Sequence, residues 1–244
     1  MKARYLFLVA LLLLPTLAAA CVWGGFDATR VNYPGGVLYD GDHSILRGYI
    51  TGQGGSVALP TPELTPAYLD QIDVFYTSLL SQDTGVLSAP EQTALQAWVA
   101  NGGTLIVTGD IYTLDGYESF TSHWGVTNWT SVGGNSSGST VNAHPVISGV
   151  STHYYNTNST FTYGADALLI MEDASANTYA VVMDPSTGFN YGGKILVTGD
   201  HNGYTDGSAG NDDNQTFMAN FVAWACAGVT ATDTSSWSAV KSLY

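Results

Sequence analysis

Aspartate and histidine side chains follow several short apolar runs of this sequence, at points where predicted strands end. They are Asp40, Asp42, His43, Asp110, Asp200 and His201. Ligands of open parallel sheets bind beyond the carboxyl ends of the strands, so we expect these groups to meet in one crevice. Carboxylates and imidazoles together can bind Ca²⁺, Mg²⁺ or Zn²⁺, or position a water molecule for hydrolysis. The alternative is structural, because an aspartate after a strand often tightens a turn or caps the next helix.

A further candidate ligand, His144, lies in the turn His-Pro-Val-Ile-Ser-Gly at positions 144–149. Pro145 fixes the backbone there, and the imidazole either hydrogen-bonds the backbone or binds a ligand. The oxygen-rich segment 206–214 is similar in composition to a calcium loop, but it lacks the spacing and the final glutamate of an EF-hand. We therefore predict a solvated loop that caps the last helix.

The elements that must position these groups are strands alternating with helices, which favours a parallel sheet with crossover helices. Ser88 and Glu91 have the spacing of a capping box and predict a helix over 88–100. Strands are predicted at 36–40, 56–59, 72–76, 104–108, 167–171, 179–183 and 194–198, and a final helix at 214–227. The segments 102–110 and 192–200 share a Gly-Gly start and a Val-Thr-Gly-Asp end. As parallel strands of one sheet, they would place both Gly-Asp ends on the same side.

The composition excludes one large class of partners. Twenty Asp and Glu against six Lys and Arg give a formal net charge of −14. Nucleic-acid binding is excluded, because it needs basic clusters that neutralise phosphates. Adhesion to an anionic membrane surface is disfavoured for the same reason.

The first 20 residues have the pattern of a secretory signal. Lys2 and Arg4 precede an apolar run over 5–14, and three alanines end the segment at position 20. The run is too short to span a bilayer, and we predict no transmembrane segment elsewhere. The protein is therefore predicted to be secreted, to an extracellular or periplasmic location.

The two cysteines, Cys21 and Cys226, leave one ambiguity. In an oxidising compartment they can form a single disulfide. The alternative is a lipid on Cys21, which would tether a lipoprotein to the membrane by its N-terminus. We expect one α/β domain over 21–228, with a variable excursion at 112–165, and a polar tail over 229–244.

Several motifs in collinear order resemble a known superfamily. They are Leu-Tyr-Asp-Gly-Asp-His at 38–43, the two Gly-Gly to Gly-Asp segments, and Ala-His-Pro-Val-Ile-Ser-Gly-Val at 143–150. Over residues 36–227 the chain resembles the class I glutamine amidotransferase-like superfamily. Within it, the similarity is greater to the non-catalytic branch of DUF4350-type, ThuA-like and intraflagellar-transport-52-like domains. The resemblance implies a flavodoxin-like three-layer α/β sandwich with a mostly parallel central sheet.

The chain departs from the catalytic members at the position that matters most. Those enzymes use a cysteine at a strand-to-helix elbow, whereas the corresponding Thr108-Gly109-Asp110-Ile111 contains none. Hydrolysis of glutamine by a thiol nucleophile is thereby excluded. We expect an exported, non-catalytic binding or assembly module whose partner is an extracellular protein or a glycan. The competing interpretation is a metal-assisted hydrolase of a glycan-type substrate, with Ca²⁺ or Zn²⁺ held at the strand ends.

Overall fold

Short apolar runs form the central sheet, and the helices pack on both of its faces. The computed structural model describes residues 20–228. The strands are β1 (Val22–Gly25), β2 (Ser56–Val57), β3 (Val74–Tyr76), β4 (Thr104–Thr108), β5 (Thr127–Ser131), β6 (Asn135–Thr140), β7 (Thr152–Asn156), β8 (Ser159–Thr162), β9 (Leu168–Glu172), β10 (Thr178–Met183) and β11 (Lys194–Thr198). The helices are α1 (Ser44–Gly52), α2 (Pro66–Leu69), α3 (Ala89–Ala100), α4 (Leu114–Thr121) and α5 (Asn214–Cys226).

The main sheet has a parallel half and an antiparallel half. Within residues 20–228 it contains nine strands in the order β2-β1-β3-β4-β11-β10-β9-β6-β7. The first five run parallel, and β10, β9, β6 and β7 continue the sheet in antiparallel pairs. We call the end at which β1, β3, β4 and β11 finish the carboxyl end of the sheet, and the opposite end the amino end.

The similar segments predicted to be parallel strands lie side by side. β4 pairs with β11 in register from Thr104 opposite Lys194 to Thr108 opposite Thr198. The predicted strands at 104–108 and 194–198 are therefore confirmed to the residue, and both Gly-Asp ends lie at the carboxyl end. The predicted strands at 167–171 and 179–183 form the antiparallel pair β9 and β10.

The sheet separates two apolar cores. Along β4, Ile106 belongs to the core on the side of α1 and α5, whereas Leu105 and Val107 belong to the core beneath α2, α3 and α4. This alternation follows from the two-residue period of a strand. The predicted flavodoxin-like three-layer fold class is confirmed.

Helix α3 begins as its sequence predicts. The Ser88 amide donates to the Glu91 carboxylate at 2.9 Å, which completes the expected capping box. Glu91 also pairs with the Arg30 guanidinium at 2.8 Å, so this buried carboxylate has a charge partner. The helix consequently starts at a fixed point relative to the loop that carries Arg30.

The predicted first strand at 36–40 is wrong. Residues Pro34–Gly36 form a 3-10 turn, and the chain continues through turns to α1. The first strand is instead β1 (Val22–Gly25), close to the start of the described residues. Its apolar pattern is short and interrupted by glycine, and a Cβ at Gly24 would lie 2.6 Å from the Tyr68 hydroxyl. Close packing against Tyr68, rather than strand propensity, explains why position 24 is a glycine.

The segment 112–165 contains α4 and four strands. β6 and β7 extend the main sheet, whereas β5 and β8 form a separate two-stranded sheet. The segment therefore supplies both the outer strands of the main sheet and a small sheet of its own.

The cysteines are joined. The Cys21–Cys226 disulfide connects the start of β1 to the end of α5, with the two Cα atoms 5.6 Å apart. The predicted leader over 1–20, apart from Ala20, and the predicted tail over 229–244 lie outside the described residues. In the part of the chain that the structure describes, no helix has the length and hydropathy needed to cross a bilayer.

Candidate functional site

Three of the predicted ligands meet at the carboxyl end of the sheet. Asp110 follows β4, and Asp200 and His201 follow β11, so the in-register pairing of these strands brings them together. All three are buried, and one donor atom from each lies within 4.8 Å of the other two. Gly199 allows the turn, because a Cβ there would lie 2.1 Å from the Ser159 carbonyl oxygen. We call Asp110, Asp200 and His201 the buried cluster.

The imidazole of the buried cluster is close to both carboxylates but is not aligned with either. His201 Nδ1 lies 3.2 Å from Asp110 Oδ2 and 4.0 Å from Asp200 Oδ1. Neither ring nitrogen has an aligned hydrogen-bond partner among residues 20–228, although His201 is only 2% exposed. Buried polar atoms are nearly always paired, so this one requires an explanation.

The two carboxylates differ in how fully they are hydrogen-bonded. Asp200 accepts from the Asn156 amide at 2.7 Å and from the Asn202 amide and side chain at 2.9 Å each. Burial nevertheless raises the pKa of Asp200 to about 6, against the opposing effects of His201 and these bonds. Asp110 has longer contacts, at 3.3 Å from the Tyr112 amide and 3.4 Å from Asn202 Nδ2. Asp110 therefore retains more capacity to accept.

A second buried imidazole, His43, stands just before α1. It is fully buried against the Tyr76 ring, with the ring centroids 5.5 Å apart, and neither nitrogen has an aligned partner among the described residues. Burial lowers the pKa of His43 to about 3, and the electrostatic effect of the neighbouring His201 acts in the same direction. His43 is therefore a neutral imidazole electrostatically coupled to the buried cluster.

Tyr33 lies between the buried cluster and the surface. Its ring centroid is 6.4 Å from that of His201, and the side chain is half-buried. Burial raises the pKa of Tyr33, and the charges of Asp42 and Asp110 raise it further. The phenol is thus one of the polar groups next to the buried cluster.

More buried polar atoms at the carboxyl end lack an aligned partner within the described chain. Besides those of His43 and His201, they are the Ser78 hydroxyl and the ring nitrogens of His153. Sequence reasoning missed this set, although most of its members lie at or within a few residues of a strand end. The signal that could have found them is the polar residue type at these positions.

Two predicted site residues lie outside the cluster. Asp40 and Asp42 are exposed in the turn before α1, because the strand predicted to deliver them does not exist. The N-terminus of α1 is instead capped by the distant Asp206, whose carboxylate accepts from the Ser44 amide at 3.0 Å and the Ile45 amide at 2.9 Å.

His144 lies at the amino end of the sheet, far from the other candidates in the topology. Its Nε2 is 3.1 Å from Asp184 Oδ2, and its Nδ1 accepts from the Val146 amide at 3.2 Å. Trp224 Nε1 donates to the same Asp184 oxygen at 2.8 Å. The imidazole therefore holds a turn against α5, as the structural interpretation predicts. An open groove of about 630 Å³ runs beside it along residues 140–150.

The Asp- and Asn-rich segment 206–214 binds backbone amides. Asp213 accepts from the Ser151 amide at 2.8 Å and the Thr152 amide at 3.2 Å, and Asn214 accepts from the Tyr154 amide at 3.0 Å. These amides belong to β7 and the residue before it, so the segment closes the outer strand of the sheet. Asp206 and Asp213 are thus occupied by structural bonds.

Comparisons with known proteins identify the fold and nothing narrower. No family model and no curated protein matches the sequence. Among solved structures, the mmIFT52 N-terminal domain matches at 15% identity with a TM-score of 0.63, covering 85% of this chain and 98% of that one. A ThuA-like protein from Bacteroides uniformis matches at 10% identity with a TM-score of 0.53, covering 85% and 93%. A glutamine amidotransferase from Thermotoga maritima matches at 8% identity with a TM-score of 0.54, covering 85% and 98%.

The chain has the glutamine amidotransferase-like fold. At the turn after β4 this chain has Asp110 beside His201. Both cysteines lie at the amino end in the disulfide.

Proposed function

We propose that the protein is an exported, non-catalytic binding or assembly module built on an amidotransferase-like fold. The observation that carries this proposal is the elbow after β4, which presents Asp110 in place of a thiol while both cysteines form a disulfide elsewhere. Thiol catalysis needs a free thiolate next to a base, and the chain offers none.

Export is supported by the leader and by the disulfide. Disulfides persist in oxidising compartments outside the cytoplasm. A Cys21 sulfur bonded to Cys226 has no valence left for a thioether-linked lipid, so we favour a secreted protein over a lipoprotein. Edman sequencing and intact mass of the secreted chain test this. We expect Cys21 as the first residue and an unmodified mass, and a mass increased by an acyl group would contradict the proposal.

The outer strands of the main sheet are poor candidates for partner binding. The outward amides of β7 are bonded to Asp213, Asn214 and Asp200, and β2 has only two residues. Partners that add a strand need free backbone groups at a sheet edge. The groove along 140–150 is a candidate surface away from these edges, and Val141 in it is 41% exposed.

A matched pair of valines tests this surface. Val141→Asp places a charge in the groove, whereas Val132→Asp places one beside the small sheet at the same 41% exposure. We expect complexes cross-linked on the cells that produce the protein to be lost in Val141→Asp and kept in Val132→Asp. Equal behaviour of the two variants, with both folded, would count against the groove.

Turnover assays test the absence of catalysis. We expect the purified protein to release no ammonia from glutamine and no reducing sugar from glycans. Turnover of either substrate that disappears in Asp110→Asn would overturn the non-catalytic proposal. The competing hydrolase is disfavoured because Asp110, Asp200 and His201 are at most 2% exposed, whereas a glycan needs an open cleft.

A further inference from the structure

The buried cluster has the donor set and spacing of a metal site. Adjacent ligands of a tetrahedral zinc ion lie ~3.3 Å apart, given zinc–ligand distances of ~2.0–2.1 Å. His201 Nδ1 and Asp110 Oδ2 already have this separation, at 3.2 Å. Asp200 Oδ1, at 4.0 Å from the same nitrogen, has to approach by less than ~1 Å.

The orientation of His201 indicates a ligand rather than a hydrogen-bond donor. A structural histidine–aspartate pair aligns an N–H with a carboxylate oxygen, as His144 and Asp184 do. His201 approaches two carboxylates without aligning with either, and it is buried with no other aligned partner among residues 20–228. A metal ion between these donors would satisfy all of them at once.

The charge of the site favours a cation. Within the described chain, neither Asp110 nor Asp200 forms an ion pair with a lysine or arginine, and His201 is the only basic side chain within 4.0 Å of them. The cluster thus holds two buried carboxyl groups and no lysine or arginine partner. Buried charges are paired or coordinate metals, and a divalent ion supplies the missing positive charge.

The surrounding residues fit the role of supporting groups. Asn202 Nδ2 lies 2.9 Å from Asp200 Oδ1 and 3.4 Å from Asp110 Oδ2, so one amide orients both carboxylates. Hydrogen bonds of this kind fix the ligands of metal sites. Among residues 20–228 these three are the only group of three or more His, Cys, Asp or Glu side chains with ligand atoms within 4.8 Å of one another, so a water molecule would fill the fourth position.

We propose that Asp110, Asp200 and His201 bind one zinc ion at the carboxyl end of the sheet. The nitrogen donor selects zinc over calcium and magnesium, which take oxygen ligands. The site stands independently of the proposed binding role, because its test measures the metal and not a partner.

Calorimetric titration with Zn²⁺ after chelator treatment tests the site. We expect one Zn²⁺ per chain, a raised Tm, and visible absorption bands of a four-coordinate ion when Co²⁺ replaces Zn²⁺. Asp110→Asn and His201→Gln are expected to weaken binding at least ~10-fold. Asp42→Asn, which removes an exposed carboxylate near the same end, is the control and should bind as the wild type does.

Each result of the Zn²⁺ titration either supports or overturns the proposed site. The absence of Zn²⁺ binding to the wild type, equal binding by all variants, or saturation by Ca²⁺ in preference to Zn²⁺ would overturn the proposal. Asp200 is not used as the test residue, because its bonds to the Asn156 and Asn202 amides also hold the fold. If His201→Gln fails to fold by circular dichroism, Asp110→Asn decides.

Discussion

Two histidine–aspartate pairs lie at opposite ends of the central sheet. The distances within the two pairs are nearly equal, but their surroundings differ. His144 and Asp184 are 3.1 Å apart at the amino end, and His201 and Asp110 are 3.2 Å apart at the carboxyl end. The first pair is aligned and is joined by Trp224. The second is unaligned and stands beside another carboxylate. Distance alone therefore does not separate a structural pair from a candidate ligand set.

The amino and carboxyl ends of the sheet also differ in how their other polar groups are paired. At the amino end, polar groups are saturated: Lys194 Nζ donates to the Trp224 and Ala227 carbonyls at 2.6 and 2.7 Å, and the disulfide closes the chain. At the carboxyl end, the buried imidazoles of His43, His153 and His201 have no aligned partner for either ring nitrogen among the described residues. We infer that the amino end stabilises the domain and that the carboxyl end is where a ligand would act.

The largest effect is expected from removing the disulfide at the amino end. It closes a loop with a sequence separation of 205 residues, and the Cys21→Ser/Cys226→Ser variant should lose about 5 kcal/mol of unfolding free energy. Urea denaturation measures the loss. If the variant is as stable as the wild type, the amino end is not the stabilising one.

The second-largest loss of stability is expected from the aligned pair of His144 and Asp184. Asp184→Ala leaves His144 and Trp224 Nε1 without their buried acceptor and should lower the unfolding free energy by roughly 3 kcal/mol. Asp184→Asn keeps one carbonyl acceptor and is expected to lose less. Equal losses in the two variants would mean that packing, not hydrogen bonding, accounts for the role of Asp184.

The pH dependence of stability reports on an unpartnered imidazole at the carboxyl end. His153 packs among Tyr179, Tyr204 and Phe217 with ring centroids 5.1–5.5 Å away, and burial lowers its pKa to about 3. Between its ordinary pKa of ~6.5 and 3, the unfolded chain binds a proton that the folded protein does not. His153 should therefore make the protein less stable by about 2 kcal/mol at pH 5 than at pH 7.

Comparison with His153→Phe isolates this contribution. His43, with a similarly lowered pKa, adds to the loss on acidification, whereas Asp200, with a raised pKa, opposes it. Both contributions are present in the variant too, so the difference between the two stability curves belongs to His153. Parallel curves would show that the folded protein accommodates the charged ring. The exposed His123→Phe is the control and should leave the curve unchanged.

The sequence predicted the parts of this molecule that depend on neighbours in the chain. The Ser88 capping box and the matching strands β4 and β11 are local patterns, and the pairing of those strands was enough to bring Asp110, Asp200 and His201 together. Apart from the disulfide, contacts between distant side chains were not predicted. Asp206 caps a helix 161 residues earlier in the chain, and no pattern around Asp40 and Asp42 indicates that contact.

The unaligned state of His201 also escaped prediction, since it depends on side-chain directions. The residue types are the same at both ends and the distances nearly so, 3.1 and 3.2 Å, with a histidine and an aspartate brought together by the fold. What differs is the number of donors around each carboxylate, and those donors come from β7, α5 and the turn after β11.

The smallest expected effect is a gain in stability, and it tests the comparison of the two histidine–aspartate pairs most directly. With a chelator present, Asp110→Asn removes one of two buried carboxylates that lack a lysine or arginine partner in the described chain. The unfolding free energy should then rise by about 1 kcal/mol, because a neutral amide is easier to bury than a charge. Asp184→Asn under the same conditions should lower it. If Asp110→Asn is instead destabilised by more than ~2 kcal/mol in urea, Asp110 acts as a salt-bridge partner of His201. The two pairs would then be structurally equivalent, and the distinction between the two ends of the sheet would fail.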